Sequence, residues 1–89
     1  MATKEVKVYR VVMKRECKTI DMDMCPIFEE ETFFDDFFAD KEDAMATAKN
    51  MFDKQPLDAY VSGVWVSVFV VVIGNGSKQQ RIFSNFKKR

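Results

Sequence analysis

The stretch Val64-Trp65-Val66-Ser67-Val68-Phe69-Val70-Val71-Val72-Ile73 holds nine apolar residues in ten, seven of them β-branched. Side chains branched at Cβ are stiff at χ1 and pack well on a pleated surface, so the stretch is predicted to be a strand rather than a helix. Alternation sends Trp65, Phe69, Val71 and Ile73 to one face and Val64, Val66, Val68, Val70 and Val72 to the other. Both faces are apolar, which is the pattern of a central strand covered on both sides.

Downstream, Gly74-Asn75-Gly76-Ser77 carries the Asn-Gly signal of a two-residue hairpin turn, because a type I′ turn needs positive φ at both central residues. With Asn75 and Gly76 in those places, Ile73 opposes Lys78, Val71 opposes Gln80, Phe69 opposes Ile82, Ser67 opposes Ser84 and Trp65 opposes Phe86. One face of this hairpin then gathers Trp65, Phe69, Val71, Ile82 and Phe86 as a core. The other mixes the valine stripe with Gln79, Arg81, Phe83, Asn85 and Lys87. Lys87-Lys88-Arg89 is expected to be a solvated tail.

Upstream, Asp40 has the character of a helix N-cap, with Glu42 and Asp43 in the first turn, where anions suit the positive end of the helix dipole. Ala44, Met45, Ala48, Met51 and Phe52 form one amphipathic stripe. The helix is predicted from Lys41 to Lys54, and Pro56 ends it by pushing the residue before it out of the αR region. Glu31 to Ala39 contains the doubled pattern Phe33-Phe34-Asp35-Asp36-Phe37-Phe38. A strand would place Phe-Asp-Phe on each face, whereas a helix would gather all four Phe on one stripe. Aromatic enrichment and the helix start directly after it favour the strand. Thr19 to Glu30, with Pro26 near its centre, shows no clear period, so a long loop is expected at about residues 16–30. Lys4 to Met13 reads as the first strand.

The architecture that follows is an α+β domain in ββαββ order spanning residues 1–89, a four-stranded antiparallel sheet with one helix. The helix is expected on the Trp65 face. That would leave Val64, Val66, Val68, Val70 and Val72 as an apolar strip, assigned here to self-association or to cover by the loop.

Composition bounds the chemistry. The chain has no His, three Gly and two Cys. It therefore lacks a side chain that titrates near neutral pH, a His-based triad and a glycine-rich phosphate loop. Cys17 and Cys25 have no His to complete a zinc site, and they read as free thiols in a reducing compartment. Asp21 and Asp23 could reach one side of an extended segment and hold a divalent ion, but such pairs are commonly just part of a solvated loop. No enzymatic activity, metal or cofactor is expected. The longest weakly polar run, Ala59 to Ile73, is too short to span a bilayer as a helix. The opening Met1-Ala2-Thr3-Lys4-Glu5-Val6-Lys7 lacks the apolar core of a secretory signal, so the expected compartment is the cytoplasm.

Charge is strongly segregated beneath a formal net of zero. From Thr19 to Asp58 twelve acids stand against three lysines, while the rest of the chain holds two acids against eleven Lys and Arg. The acidic middle could face outward or could pair with the basic ends. Eight acids, Glu29, Glu30, Glu31, Asp35, Asp36, Asp40, Glu42 and Asp43, fall in fifteen positions. They could present a phosphate-like string to a basic nucleic-acid-binding groove, with Ile27 and Phe28 as apolar anchors and charge supplying the on-rate. The expected partner is a larger protein or protein–nucleic-acid complex. In build, a sheet with one acidic helix and no catalytic residues, the chain resembles the accessory proteins that phages use against host enzymes and defence complexes, anti-CRISPR inhibitors among them; no motif carries this likeness. The alternatives are a homo-oligomer joined through the valine stripe and a weak single-stranded nucleic-acid binder. The latter would use Lys7, Arg10, Arg81, Lys87, Lys88 and Arg89, with Tyr9 or Phe83 as a stacking face.

Overall fold

A computed structural model describes residues 5–74 and 76–89. The elements are β1 (Val6–Ile20), β2 (Pro26–Phe38), α1 (Lys41–Lys54), β3 (Val61–Gly74) and β4 (Gly76–Lys88). The four strands form one sheet in the order β2-β1-β3-β4, and every neighbouring pair is antiparallel. This is the ββαββ sheet with one helix expected from the sequence, and the apolar β3 is one of its two central strands. The helix bounds also agree. Asp40 stands at the N-cap with extended backbone, but its side chain makes no capping hydrogen bond.

The helix lies on the opposite face from the one expected. Val64, Val66 and Val68 are buried beneath it, together with Val11, Met13 and Cys17 of β1 and Ala44, Ala48 and Phe52 of α1. The valine stripe is thus the core, and it is not an exposed strip available for self-association. Val70 and Val72 are partly covered. The reason is steric. A comb of valines is low and even, and Ala44 and Ala48 let the helix backbone settle close on it, whereas the indole of Trp65 would hold a helix away from the sheet. Trp65 instead folds along its own strand over Gly63, where an added Cβ would meet the ring at 2.9 Å.

Three β-bulges decide which residue reaches which face. In β2 the pairing steps from Met13↔Phe34 to Lys14↔Thr32, so Phe33 is the extra residue. The strand is therefore confirmed for Phe33–Phe38, yet strict alternation fails. Phe33 and Phe34 both turn to the helix side and pack on the core with Phe38. In β3 the step from Glu16↔Gly63 to Cys17↔Val61 returns Val61 to the core. In β4 the expected register holds at Trp65↔Phe86 and Ser67↔Ser84, then slips at Ile82, so that Phe69 opposes Arg81, Val71 opposes Gln79 and Ile73 opposes Ser77. The expected pairs of Phe69 with Ile82, Val71 with Gln80 and Ile73 with Lys78 do not form. Asn75, the first central residue of the expected turn, lies outside the described residues. So does Lys4, the expected start of β1. Gly76 has φ +104°, a backbone state that only glycine adopts without strain.

The long loop expected at about residues 16–30 does not exist. β1 continues to Ile20 and β2 begins at Pro26, leaving Asp21–Cys25 as the turn. Asp21 builds that turn, its carboxylate accepting from the backbone N–H of Asp23 at 2.9 Å and of Cys25 at 2.8 Å. Pro26 is tolerated as the first residue of an edge strand. The segment escaped the sequence reading because the β1–β2 hairpin extends past β3, where it has no buried face to impose alternation. The C-terminal residues are likewise strand rather than solvated tail. β4 runs to Lys88, and the Arg89 N–H donates to the Ser62 carbonyl at 2.9 Å.

Because Val66 is 1% exposed beneath α1, Val66→Lys should lower stability by more than about 4 kcal/mol through an unpaired buried charge, not yield a folded monomer. A urea transition with an unchanged midpoint would show that the stripe is not roofed.

Candidate binding surfaces

The sheet separates the charge. β2 carries five acids and no cation, while β4 carries Lys78, Arg81, Lys87 and Lys88 and no acid. These are the two edges, about 14 Å apart at the usual strand spacing. Cations of β1 neutralise part of β2. Arg10 grips Asp35 through two bonds, Nε to Oδ1 at 2.8 Å and Nη2 to Oδ2 at 2.5 Å. Arg15 pairs with Glu31, and Lys14 lies 3.6 Å from Glu30. Both expectations for the acidic segment are thus met in part. It pairs with β1, and what remains faces outward.

Among the described residues Glu29, Asp36, Asp40, Glu42 and Asp43 make no ion pair. The expected string of eight is therefore divided. Glu29 lies next to the exposed Ile27 and Phe28 near the tip of the β1–β2 hairpin, and the other four continue from the end of β2 into the first turn of α1. Met22 and Met24 project from the same tip, fully exposed and 78% exposed. Among the described residues the outer rim of β2 has no strand neighbour, so its backbone groups are also open.

A second surface was not anticipated. The face opposite α1 is unroofed and holds a shallow groove of about 720 Å³, lined by Val12, Trp65, Phe69, Phe86, Arg10 and Arg81 among others. Arg81 reaches this face only because of the Ile82 bulge, and its guanidinium lies 5.6 Å from the Phe69 ring centre. Arg10 crosses the groove, bound to Asp35 on one side and donating to the side-chain oxygen of Gln79 at 3.4 Å on the other. The large residues on this side of β3, set against small alanines on the helix, were the available signal for the unroofed face. The bulge left none.

The residues of the nucleic-acid alternative are not brought onto one track. Arg10 and Arg81 line the open groove. Tyr9 and Phe83 pack against the core on the other face, so neither is a free stacking platform. Lys87 is also on the helix side, donating to the Phe52 carbonyl at 2.7 Å. Asp21, proposed with Asp23 as an ion-holding pair, is engaged in its own turn. No cluster of three metal-ligating residues occurs among the described residues. No helix of the described residues is long and apolar enough to cross a membrane. Searches against protein-family models, curated proteins and solved structures return no match.

The two thiols differ. Cys17 is buried, and desolvation with the nearby Glu31 pushes its pKa up, while Cys25 is exposed in the hairpin turn. A maleimide should label Cys25 within the mixing period and reach Cys17 only on unfolding; equal rates in the native protein would contradict the burial. Two carboxyls titrate below their ordinary value of 3.8, Asp35 through its hydrogen bonds from Arg10 and Asp58 through those from the Val61 and Tyr60 backbone. Their contribution to stability is complete above that value and is lost as pH falls through the depressed folded values. The urea midpoint should therefore fall on acidification below about pH 4, and Asp35→Asn should shrink the fall. An identical acid limb in Asp35→Asn would disprove the assignment.

Proposed function

We propose that the protein is a small non-enzymatic binding protein that docks on a larger macromolecular partner, its acidic flank standing in for a nucleic-acid backbone in a basic groove. One observation carries this reading: Glu29, Asp36, Asp40, Glu42 and Asp43 lie along an edge strand and the adjoining helix start without ion pairs among the described residues. Uncompensated carboxylates on one flank create a field that accelerates encounter with a basic surface. Ile27 and Phe28, exposed beside Glu29, supply the desolvated contacts that slow departure. In build the chain resembles phage accessory proteins that act on host defence complexes in the cytoplasm, anti-CRISPR inhibitors among them, a likeness that no motif carries.

The test is capture by the immobilised protein from a nuclease-treated extract, with elution by salt and by added duplex DNA. Wild type should retain basic proteins that DNA displaces, and Glu29→Lys/Asp36→Lys/Glu42→Lys should lose them with an unchanged circular dichroism spectrum. Retention unaffected by the triple variant, or direct binding of the wild type to the DNA, would overturn the reading.

A further inference from the structure

The open face of the sheet carries an inference independent of the acidic flank. Its four strands at about 4.8 Å spacing, over some twelve paired positions at about 3.3 Å rise, present roughly 750 Å². That is close to the roughly 800 Å² per partner of a stable protein interface. Its middle is apolar and aromatic, with Val12, Trp65 and Phe69 flanked by Phe86 and Phe37, the last two 65% and 55% exposed.

We propose that this face joins two copies of the chain, packed sheet to sheet about a two-fold axis running along the strands. Charge selects the occupant and the axis. An axis across the strands would stack acidic β2 on the partner's acidic β2. An axis along them stacks β2 of each copy on the basic β4 of the other and keeps positions level. Glu16 marks one level, where Glu30 of β2 and, through Gly63, Lys88 of β4 both stand. Glu30, 3.6 Å from its own Lys14 and still largely exposed, then faces Lys88 of the second copy as a second cation. Arg10 marks another, shared by Phe37 and, through Phe69, Arg81, so Phe37 meets the second copy's Arg81 in a cation–π pair. Aligned sheets pack in this manner, within about 30° of parallel. A nucleic acid is the weaker fit for the same face, because Arg10 and Lys14 are already paired with Asp35 and Glu30, which confines the cations outside those pairs, Arg81 and Lys88, to the β4 edge rather than spreading them across the sheet along a phosphate track. Glu29, Asp36 and the helix start lie on the far side of each copy, so this dimer and the acidic flank stand or fall separately.

Trp65 is the chain's one tryptophan and lies in the proposed interface, so its emission reports association. Light scattering should give about twice the 10.4 kDa chain mass, and dilution should dissociate the dimer with a red shift of Trp65 emission. Lys88→Glu should weaken it several-fold, and Glu30→Lys/Lys88→Glu should recover most of the loss, a rescue that a folding defect would not show. Phe69→Lys should give a folded monomer by circular dichroism. A wild type that stays monomeric at high concentration overturns the proposal, whether or not it retains single-stranded DNA. So does a dimer indifferent to both Phe69→Lys and Lys88→Glu.

Discussion

The seating of Ala44 and Ala48 on the valine comb of β3 is the contact on which the other features depend. The sheet has two apolar faces at its centre, and the described residues have one helix, of fourteen residues, to cover them. A helix of that length spans about 21 Å, while the molecule extends 64 Å along its longest axis. The helix can roof the middle of one face and no more. Which face it takes is decided by how closely its axis can approach the sheet, and two alanines over Val64, Val66 and Val68 permit a closer approach than any surface containing Trp65. Once that choice is made, the aromatic side of β3 becomes surface and the hairpin beyond Val61 becomes a projecting two-stranded ribbon.

Much of this was legible in the residues. Elements that bury a stripe announce themselves by period, and β3 and α1 do so because each has a stripe to bury. The order of elements and the antiparallel sheet followed from those two and the Asn75-Gly76 signal. The sequence points to the other face because in a simple register Trp65, Phe69, Val71, Ile82 and Phe86 form an unbroken apolar set while the valines alternate with Gln79, Arg81, Asn85 and Lys87, a register that the Ile82 bulge breaks. Trp65 and Phe69 bring more area than three valines, but area counts toward the core only when another element can reach it. The ends of β1 and β2 were misread for the opposite reason. From Lys18 to Phe28 the ribbon is held by backbone pairing between its two strands and by the Asp21 turn. Neither leaves a hydrophobic period.

The candidate surfaces show the same division. The acids of β2 and α1 were visible one by one, but their partners depended on register. Arg15 stands opposite Glu31, and Arg10 stands diagonally from Asp35, which is paired with Val12; a reading that ends β1 at Met13 and makes residues 16–30 a loop sets no register between β1 and the Glu31–Ala39 strand. Arg81 is the sharper case. In the simple alternation expected for β4 it lies with the valines; one inserted residue, Ile82, transfers it to the aromatic face. A bulge changes no composition and little propensity, yet it exchanges the two faces for every residue beyond it.

The bulges also bear on how the sheet meets other molecules. With acidic β2 and basic β4 as its edges, the sheet has the charges for open-ended addition, each copy's β2 docking along the next copy's β4 and so on without closure. Both edges are interrupted near their middle, β2 at Phe33 and β4 at Ile82. A bulge twists an edge strand and breaks the regular spacing of its outward N–H and C=O groups, which is a common protection against edge-to-edge growth. The same two residues that blunt the edges leave the aromatic face continuous between them, with acid along one side and base along the other. The proposed association about a two-fold axis through that face would set each copy's acidic β2 on the other's basic β4 and close after two copies, so a contact that uses the segregated charge does not itself propagate.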